Sequence, residues 1–502
     1  MQTEKYAVMP SGAKLVVLER GEIRCFALDV RPEWSLGRCT PENNPDIPLF
    51  SPIASRSHGS FANIEGQWYF TDDPNSLNGT FYNGEKIGTP MNGKKKLIML
   101  NDGDILRIDN TNLNAPNEDG VLMLFTTSTV VDGQWVTYSL RGRQLTTIGR
   151  GENCDIIQPL PYLSTLHVKI TLLNGDYYLS DCDSTAGTYL NGEKVVGNVI
   201  LREKDRISLC DCNFIFTNKT LLYIKRDAVK GKEIIRNIKP DQRPVVLKAD
   251  IKTKKVKNNS GAGLKELIRD VKLEVRQGTL VALLGNAGAG KSTVMNCLNG
   301  MDLVGVQGTV MYHDVDLMKN FEQMKHLIGS VPQDKIINDD NTPEEEFKDA
   351  AILRLPGDTT RKEIKERVDK TIRILGLEGV RKNLNVKLSG GEKTRVNIGI
   401  ELVADRELLC LDEPDQGLSP NLKHEIFEIL RKLAHEEGKS VLCIVHDVSE
   451  IDMFDQVIMM VKENNVGRLA FSGTPAEARE YFGVDIRDAY ALMEQNPGKY
   501  VR

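Results

Sequence analysis

Gly285-Asn286-Ala287-Gly288-Ala289-Gly290-Lys291-Ser292-Thr293 follows directly on the apolar run Leu280-Val281-Ala282-Leu283-Leu284. The run reads as a buried strand, and the nine residues after it fit GxxxxGK[ST] in the strand-to-helix setting this pattern requires. The glycines let successive backbone N–H groups close round an anion at a helix N-terminus, where the partial positive charge of the helix adds to them. Lys291 then reaches the terminal phosphates and the Ser292 hydroxyl becomes a ligand for Mg²⁺. Alone, this loop defines a nucleoside-triphosphate-binding α/β domain and no more.

Working downstream, Leu388-Ser389-Gly390-Gly391-Glu392 lies about a hundred residues on, and Leu408-Leu409-Cys410-Leu411-Asp412-Glu413-Pro414 follows soon after. The second run reads as a parallel strand whose C-terminal end delivers Asp412 and Glu413 to the phosphates. Asp412 there holds Mg²⁺ through its water shell, and Glu413 orients or deprotonates the attacking water. A phosphate loop, an LSGGE and an apolar strand ending in Asp-Glu, in that order, resemble ATP-binding-cassette (ABC) ATPases. The resemblance implies ATP and Mg²⁺ as cofactors and adds residues. His446, after Val441-Leu442-Cys443-Ile444-Val445, matches the switch histidine; Gln333, in Gly329-Ser330-Val331-Pro332-Gln333-Asp334, matches the Q-loop that senses Mg²⁺ and meets the membrane partner. Lys291, Gln333, Glu413 and His446 are then catalytic, and Ser292, Gln333 and Asp412 serve the metal. Residues 344–375, with helical apolar spacing, correspond to the helical subdomain. Ser389, Gly390 and Gly391 would bind the ATP of a second subunit, which implies a homodimer or a heterodimer of cassettes.

Leu353-Arg354-Leu355-Pro356-Gly357-Asp358, Gly391-Glu392-Lys393-Thr394-Arg395-Val396, Glu401-Leu402-Val403 and Glu480-Tyr481-Phe482-Gly483 further resemble the ABCG, or white/brown-complex, subfamily. That implies an exporter and a transmembrane permease, either a separate subunit or a C-terminal domain beyond Arg502. Two positions depart from the family. After Glu413 the family's D-loop usually carries Asp, whereas this chain has Gln416-Gly417-Leu418-Ser419, and residues 252–261 offer no aromatic to stack on adenine.

The first half contains a repeat. Gly79-Thr80-Phe81-Tyr82-Asn83-Gly84-Glu85-Lys86-Ile87 returns as Gly187-Thr188-Tyr189-Leu190-Asn191-Gly192-Glu193-Lys194-Val195. Upstream, Gly37-Arg38 parallels Gly149-Arg150, and Ser55-Arg56-Ser57-His58 parallels Ser164-Thr165-Leu166-His167. Short alternating stretches between Asn-Gly and Asp-Gly turns make both copies β-rich. The motifs resemble the forkhead-associated (FHA) domain, a β-sandwich whose loops recognise phosphothreonine, so a phosphothreonine-containing protein is an expected partner. By that resemblance Arg38, Ser55, Arg56 and Asn78 form the first pocket, with Arg150 and Ser164 as a weaker counterpart in the second. There Thr165 replaces the arginine and Ala186 the asparagine, which removes a charge and an amide. His58 and His167 read as braces for the loops.

The expected architecture is multidomain: two all-β FHA sandwiches (14–126 and 130–223), a basic linker (224–244), an α/β P-loop NTPase of ABC type with a helical subdomain (245–485) and a C-terminal tail (486–502). A length of 502 residues suits about three domains, and 27% charged residues at a net charge of −5 exclude a generally basic nucleic-acid binder, so no nucleic-acid partner is expected. Thirteen Lys or Arg against four Asp or Glu over 218–258 read mainly as a solvated linker and an exposed first strand. Nine scattered Cys without CxxC spacing point away from zinc and to a reducing compartment. The absence of a signal-like N-terminus and of 18 consecutive apolar residues places the chain in the cytoplasm, peripheral on the inner membrane face through its permease.

Overall fold

Alternation of exposed and buried side chains along Glu33–Leu36 and Leu97–Met99 gives each strand one face for a core. The computed structural model describes residues 12–83, 85–87, 96–109, 119–127, 133–217, 219–257, 263–313 and 315–501. Gly84 of the first repeat copy, Asn218, Arg502, residues 258–261 before the phosphate loop and residues 1–11 lie outside them. The chain divides into two compact units, one of residues 1–143, 200–207 and 214–225, the other of 144–199, 208–213 and 226–502.

The two copies of the repeat share a layout of one six-stranded and one five-stranded sheet but differ in one connection: the second position of the six-stranded sheet is held by the N-terminal Lys14–Glu19 in the first copy and by the C-terminal Thr220–Arg226 in the second. In the first, a six-stranded sheet runs Glu22–Ala27, Lys14–Glu19, Val121–Thr126, Ile105–Ile108, Phe81–Tyr82, Glu85–Lys86, and a five-stranded sheet runs Ile47–Leu49, Glu33–Arg38, Gly59–Ile64, Gln67–Asp72, Leu97–Met99. Leu15, Val17, Trp34, Phe61, Phe70, Leu106 and Met123 fill the space between them. In the second, Gly133–Ser139, Thr220–Arg226, Cys212–Thr217, Arg206–Leu209, Tyr189–Leu190 and Glu193–Lys194 form the six-stranded sheet. Ile156–Ile157, Leu145–Gly149, Val168–Leu173, Asp176–Asp181 and Asn198–Ile200 form the five-stranded one.

The cassette is built on a ten-stranded sheet. Its order is Val315–Asp316, Val306–Tyr312, Val245–Lys257, Leu264–Arg276, Val466–Gly473, Gln456–Glu463, Leu280–Gly285, Ser440–Ile444, Leu408–Asp412, Ile328–Val331. The last four are mutually parallel, and three of them, Leu280–Gly285, Ser440–Ile444 and Leu408–Asp412, carry runs of buried apolar residues, as strands covered on both faces do. Helices Pro343–Arg354 and Arg361–Ile374 form the helical subdomain against Gly390–Leu402. Each starts on a Thr-x-x-Glu or Ser-x-x-Glu capping box: Thr342 with Glu345, Thr360 with Glu363, Ser389 with Glu392.

Two segments differ from the sequence expectation. The basic stretch after the second sandwich is in part built into the fold: it contains the helix Ala228–Asn237, and its Arg226 and Arg243 are buried, while Lys225, Arg236 and Lys239 are exposed. Arg243 donates to the carbonyls of Ile238 and Gly278, and Lys254, in the first cassette strand, is fully buried with its ammonium 2.5 Å from Asp302. Charged side chains tolerate such burial only when paired, and these are. Residues 486–500 are no tail either: the helices Ile486–Gln495 and Pro497–Tyr500 place Ile486, Ala489, Met493 and Tyr500 in the cassette core. Among the described residues no helix is long and apolar enough to cross a membrane.

Candidate functional site

The four parallel strands end at one edge, and each end carries one motif. Leu280–Gly285 leads into the phosphate loop, Ser440–Ile444 into His446, Leu408–Asp412 into Glu413 and Ile328–Val331 into Gln333. Residues far apart in sequence thus converge at the carboxyl edge, the usual ligand edge of such sheets.

The phosphate loop depends on glycine. Gly288 and Gly290 have φ of 74° and 88°, a conformation other residues rarely adopt. A Cβ on Gly290 would lie 2.6 Å from Ile268 Cγ2. Gly290 also opens the eight-residue helix Lys291–Leu298, whose first N–H groups have no helical partner. Lys291 is buried and its Nζ donates to the carbonyls of Gly285 (2.8 Å) and Asn286 (3.3 Å), so its ammonium is held inside the loop it serves. Burial lowers its pKa, an effect that Glu413 and Asp412 oppose.

Glu413 is the centre of the arrangement. Its Oε1 accepts from His446 Nε2 at 2.6 Å, and its Oε2 accepts from the amides of Gln333 (3.0 Å) and Gln416 (3.1 Å). The residue itself sits at φ 50°, a strained backbone for a glutamate and one that aims its side chain across the edge. Desolvation and the neighbouring Glu413 raise the pKa of Asp412, while Lys291 and His446 pull it down. Ser292 is exposed beside Lys291. Ser292, Asp412 and Gln333 offer oxygen ligands, the set a hard Mg²⁺ ion takes, and the loop's lysine and the N–H groups of the helix start suit a polyphosphate, so the residues fit both groups.

Ser389 and Gly390 are exposed at the start of the helix Gly390–Leu402, with Ser389 Oγ accepting from Glu392 N and donating to Glu392 Oε2 at 2.7 Å. Among the described residues neither is hydrogen-bonded to the phosphate loop of the same chain.

Three neighbours of this site were invisible in the motifs. Gln416 adds an amide to Glu413, as above. Lys462 places its ammonium next to Gly288, 3.8 Å from where a Cβ would stand. Tyr490, on the helix after the cassette, is pushed up in pKa by burial and is hydrogen-bonded by the backbone of Gly285. A "lysine near a strand end" signal could have found Lys462; nothing local marks Tyr490.

The FHA loops also take shape. In the first copy Arg38 Nη1 donates to Pro52 O (3.0 Å), Ser55 Oγ accepts from Leu77 N (3.0 Å), Asn78 Nδ2 donates to Ile53 O (2.7 Å), and Arg56 is exposed. His58 and His167 are buried, with Nδ1 accepting from the backbone N–H of Ser55 (3.0 Å) and Ser164 (3.3 Å), as loop braces do. In the second copy Ser164 Oγ accepts from Thr185 N at 3.3 Å, while Arg150 turns to carboxylates of the cassette.

Comparison with known proteins agrees with this anatomy. The family model "ABC transporter" matches residues 268–416, and "FHA domain" matches 34–109 and 146–210. The chain is 29% identical over 354 residues to an ABC transporter ATP-binding/permease protein of Mycobacterium tuberculosis, covering 70% of this chain and 38% of that one. It is 32% identical over 227 residues to ABC transporter G family member 26 of Arabidopsis thaliana (44% and 32% covered), and 32% over 230 residues to protein white of Drosophila melanogaster (43% and 32%). It therefore spans only about a third of the length of these relatives. A solved ATP-binding subunit of an ABC transporter aligns over 49% of this chain and 98% of its own at 22% identity, with a TM-score of 0.41. The chain accordingly carries an ABC transporter ATP-binding cassette, of the kind found in the G-family and white proteins, behind two forkhead-associated domains.

Proposed function

We propose that this chain binds and hydrolyses ATP to drive a transmembrane permease, in the export direction, from the cytoplasmic face of the membrane. The observation that carries the reading is Glu413, held by His446, Gln333 and Gln416 at the sheet edge beside the phosphate loop. Three donors fix the carboxylate, so it meets a water molecule in one orientation and accepts its proton as the water attacks. Lys291 exchanges the carbonyls of Gly285 and Asn286 for phosphate oxygens, and the glycine loop supplies backbone N–H groups to the same oxygens. Mg²⁺ held by Ser292, Asp412 and Gln333 would neutralise the charge that builds up on them. The exposed Ser389 and Gly390 have no phosphate loop of their own to face, which supports a head-to-tail dimer of cassettes.

The first FHA pocket supports recognition of a phosphothreonine peptide on a partner protein. Arg38 and Arg56 supply two guanidinium groups, and charge-assisted hydrogen bonds to a phosphate are worth about 1.5–3 kcal/mol each. The test is Mg²⁺-dependent ATP turnover by the full chain and its Glu413→Gln variant. The variant should lose about 10²–10⁴-fold in kcat while still binding ATP and accumulating as an ATP-bound dimer. Turnover unaffected by the substitution would remove Glu413 from the chemistry, and Arg56→Ala leaving phosphothreonine-peptide affinity intact would remove the FHA reading.

A further inference from the structure

The phosphate-type loops of the second FHA domain are already occupied, by a carboxylate of the same chain. Arg150, only 13% exposed at its side chain, pairs with Asp358 at 3.2 Å and with Glu363. The other oxygen of Asp358 accepts from the backbone N–H of Thr165 at 2.5 Å, and Gly357 N–H donates to the Thr185 hydroxyl at 3.2 Å. Asp358 thus receives a guanidinium and a backbone amide, the donors with which a loop holds an oxyanion. They come from Arg150 and Thr165, the positions that parallel Arg38 and Arg56 of the first copy.

Asp358 lies in the turn between the helices Pro343–Arg354 and Arg361–Ile374, and Glu363 belongs to the capping box of the second. The same FHA domain has a second hold on the cassette. Tyr162 donates to Glu407 at 3.4 Å, Arg226 lies 3.8 Å from Glu407, and Gln323 donates to the Cys210 carbonyl at 2.5 Å, while Asp211 of the same FHA domain holds both Tyr162 and Arg226. Glu407 immediately precedes the strand Leu408–Asp412 that presents the catalytic carboxylates. One hold is therefore on the helical subdomain and the other on the catalytic sheet.

Charge explains the departures of this copy from its family. A phosphothreonine carries about −1.5 to −2 at pH 7. The first pocket meets it with two arginines; the second keeps only Arg150, because Thr165 stands at the other arginine's place. Asp358 takes its donors from Arg150 and the Thr165 backbone, so the loss of the second arginine and of the asparagine removes nothing that it uses, and Arg150 also meets Glu363.

We infer that the second FHA domain is an intramolecular clamp, its phosphate site filled by Asp358, which ties the helical subdomain to the catalytic sheet. A swing of that subdomain against the sheet stretches the Arg150–Asp358 pair, so the clamp restrains it.

The inference stands apart from hydrolysis, and its test needs no nucleotide. Amide hydrogen exchange is followed in the full chain for peptides covering 164–166, 356–359 and 408–412. Arg150→Ala and the near-isosteric Asp358→Asn should each speed exchange at the first two by about tenfold or more and leave the third unchanged. The charge swap Arg150→Asp with Asp358→Arg should restore protection. A phosphothreonine peptide added to the Arg38→Ala/Arg56→Ala variant should leave 164–166 unaltered. Unchanged exchange in both single variants would overturn the clamp, as would peptide-induced changes at 164–166, which would make the second domain a reader of external phosphate.

Discussion

Replacing Arg226 by alanine should cost the cassette about 3–5 kcal/mol of stability, the usual result of breaking a buried ion pair from one side. Arg226 and Asp211 are 6% and 1% exposed at their side chains, and Glu407 stands 3.8 Å from the same guanidinium. His313 faces Glu407 at 3.0 Å; burial works against its proton, but the Glu407 carboxylate outweighs burial and its pKa is raised. Arg226 and His313 are thus the basic groups set against the two carboxylates. Without Arg226, Asp211 keeps the Tyr162 hydroxyl and a 3.9 Å contact from the Cys212 thiol, neither of which carries a charge to offset its own. The assay is urea unfolding of the full chain, followed by fluorescence and by circular dichroism. The double variant Arg226→Met/Asp211→Asn removes charge from both sides and should recover more than half of the loss. A single-variant cost below about 1 kcal/mol, or a double variant no better than the single, would refute the reasoning that an unpaired buried charge sets the magnitude.

The remaining predictions concern the phosphate loop and acid stability. Gly290→Ala must place a Cβ at φ 88° and 2.6 Å from Ile268 Cγ2, a conformation that costs roughly 1–2 kcal/mol before any clash; titration with ATP should show affinity reduced by about tenfold or more, and wild-type affinity would mean the loop rearranges freely. His326 is pushed down to about 4, first by burial and then by Arg406 and Lys325. The unfolded chain then binds a proton that the folded chain refuses, so stability should fall as pH drops from about 6.5 through 4, by roughly 3 kcal/mol, and His326→Gln should flatten that slope in denaturation series. His313, raised by Glu407, acts in the other window: its contribution is complete below about 6.5 and fades as pH rises through its folded value, so His313→Gln should flatten the neutral-to-alkaline side.

Much of the nucleotide site was legible before any coordinates, because its chemistry imposes local patterns. Glycines at fixed spacing permit a phosphate loop, and an apolar run ending in Asp-Glu marks a buried strand with polar groups at its tip. The strands Leu280–Gly285 and Leu408–Asp412 lie where those runs stand. Charge counting over residues 218–258 misled, because a lysine or arginine has the same letter whether solvated or buried on a partner. Arg226, Arg243 and Lys254 find theirs at Asp211, at the Ile238 and Gly278 carbonyls, and at Asp302.

By itself the sequence determined the kinds of domain and their order and marked the candidates for meeting phosphate, since each rests on backbone freedom, hydrophobic period or a short motif. Tertiary structure alone decided that Gln416 shares Glu413 with Gln333 and His446, that Tyr490 reaches Gly285, and that Asp358 fills the loops of the second FHA domain. Those contacts join residues as much as about 200 positions apart, through through-space charge and hydrogen bonding that no window of sequence contains.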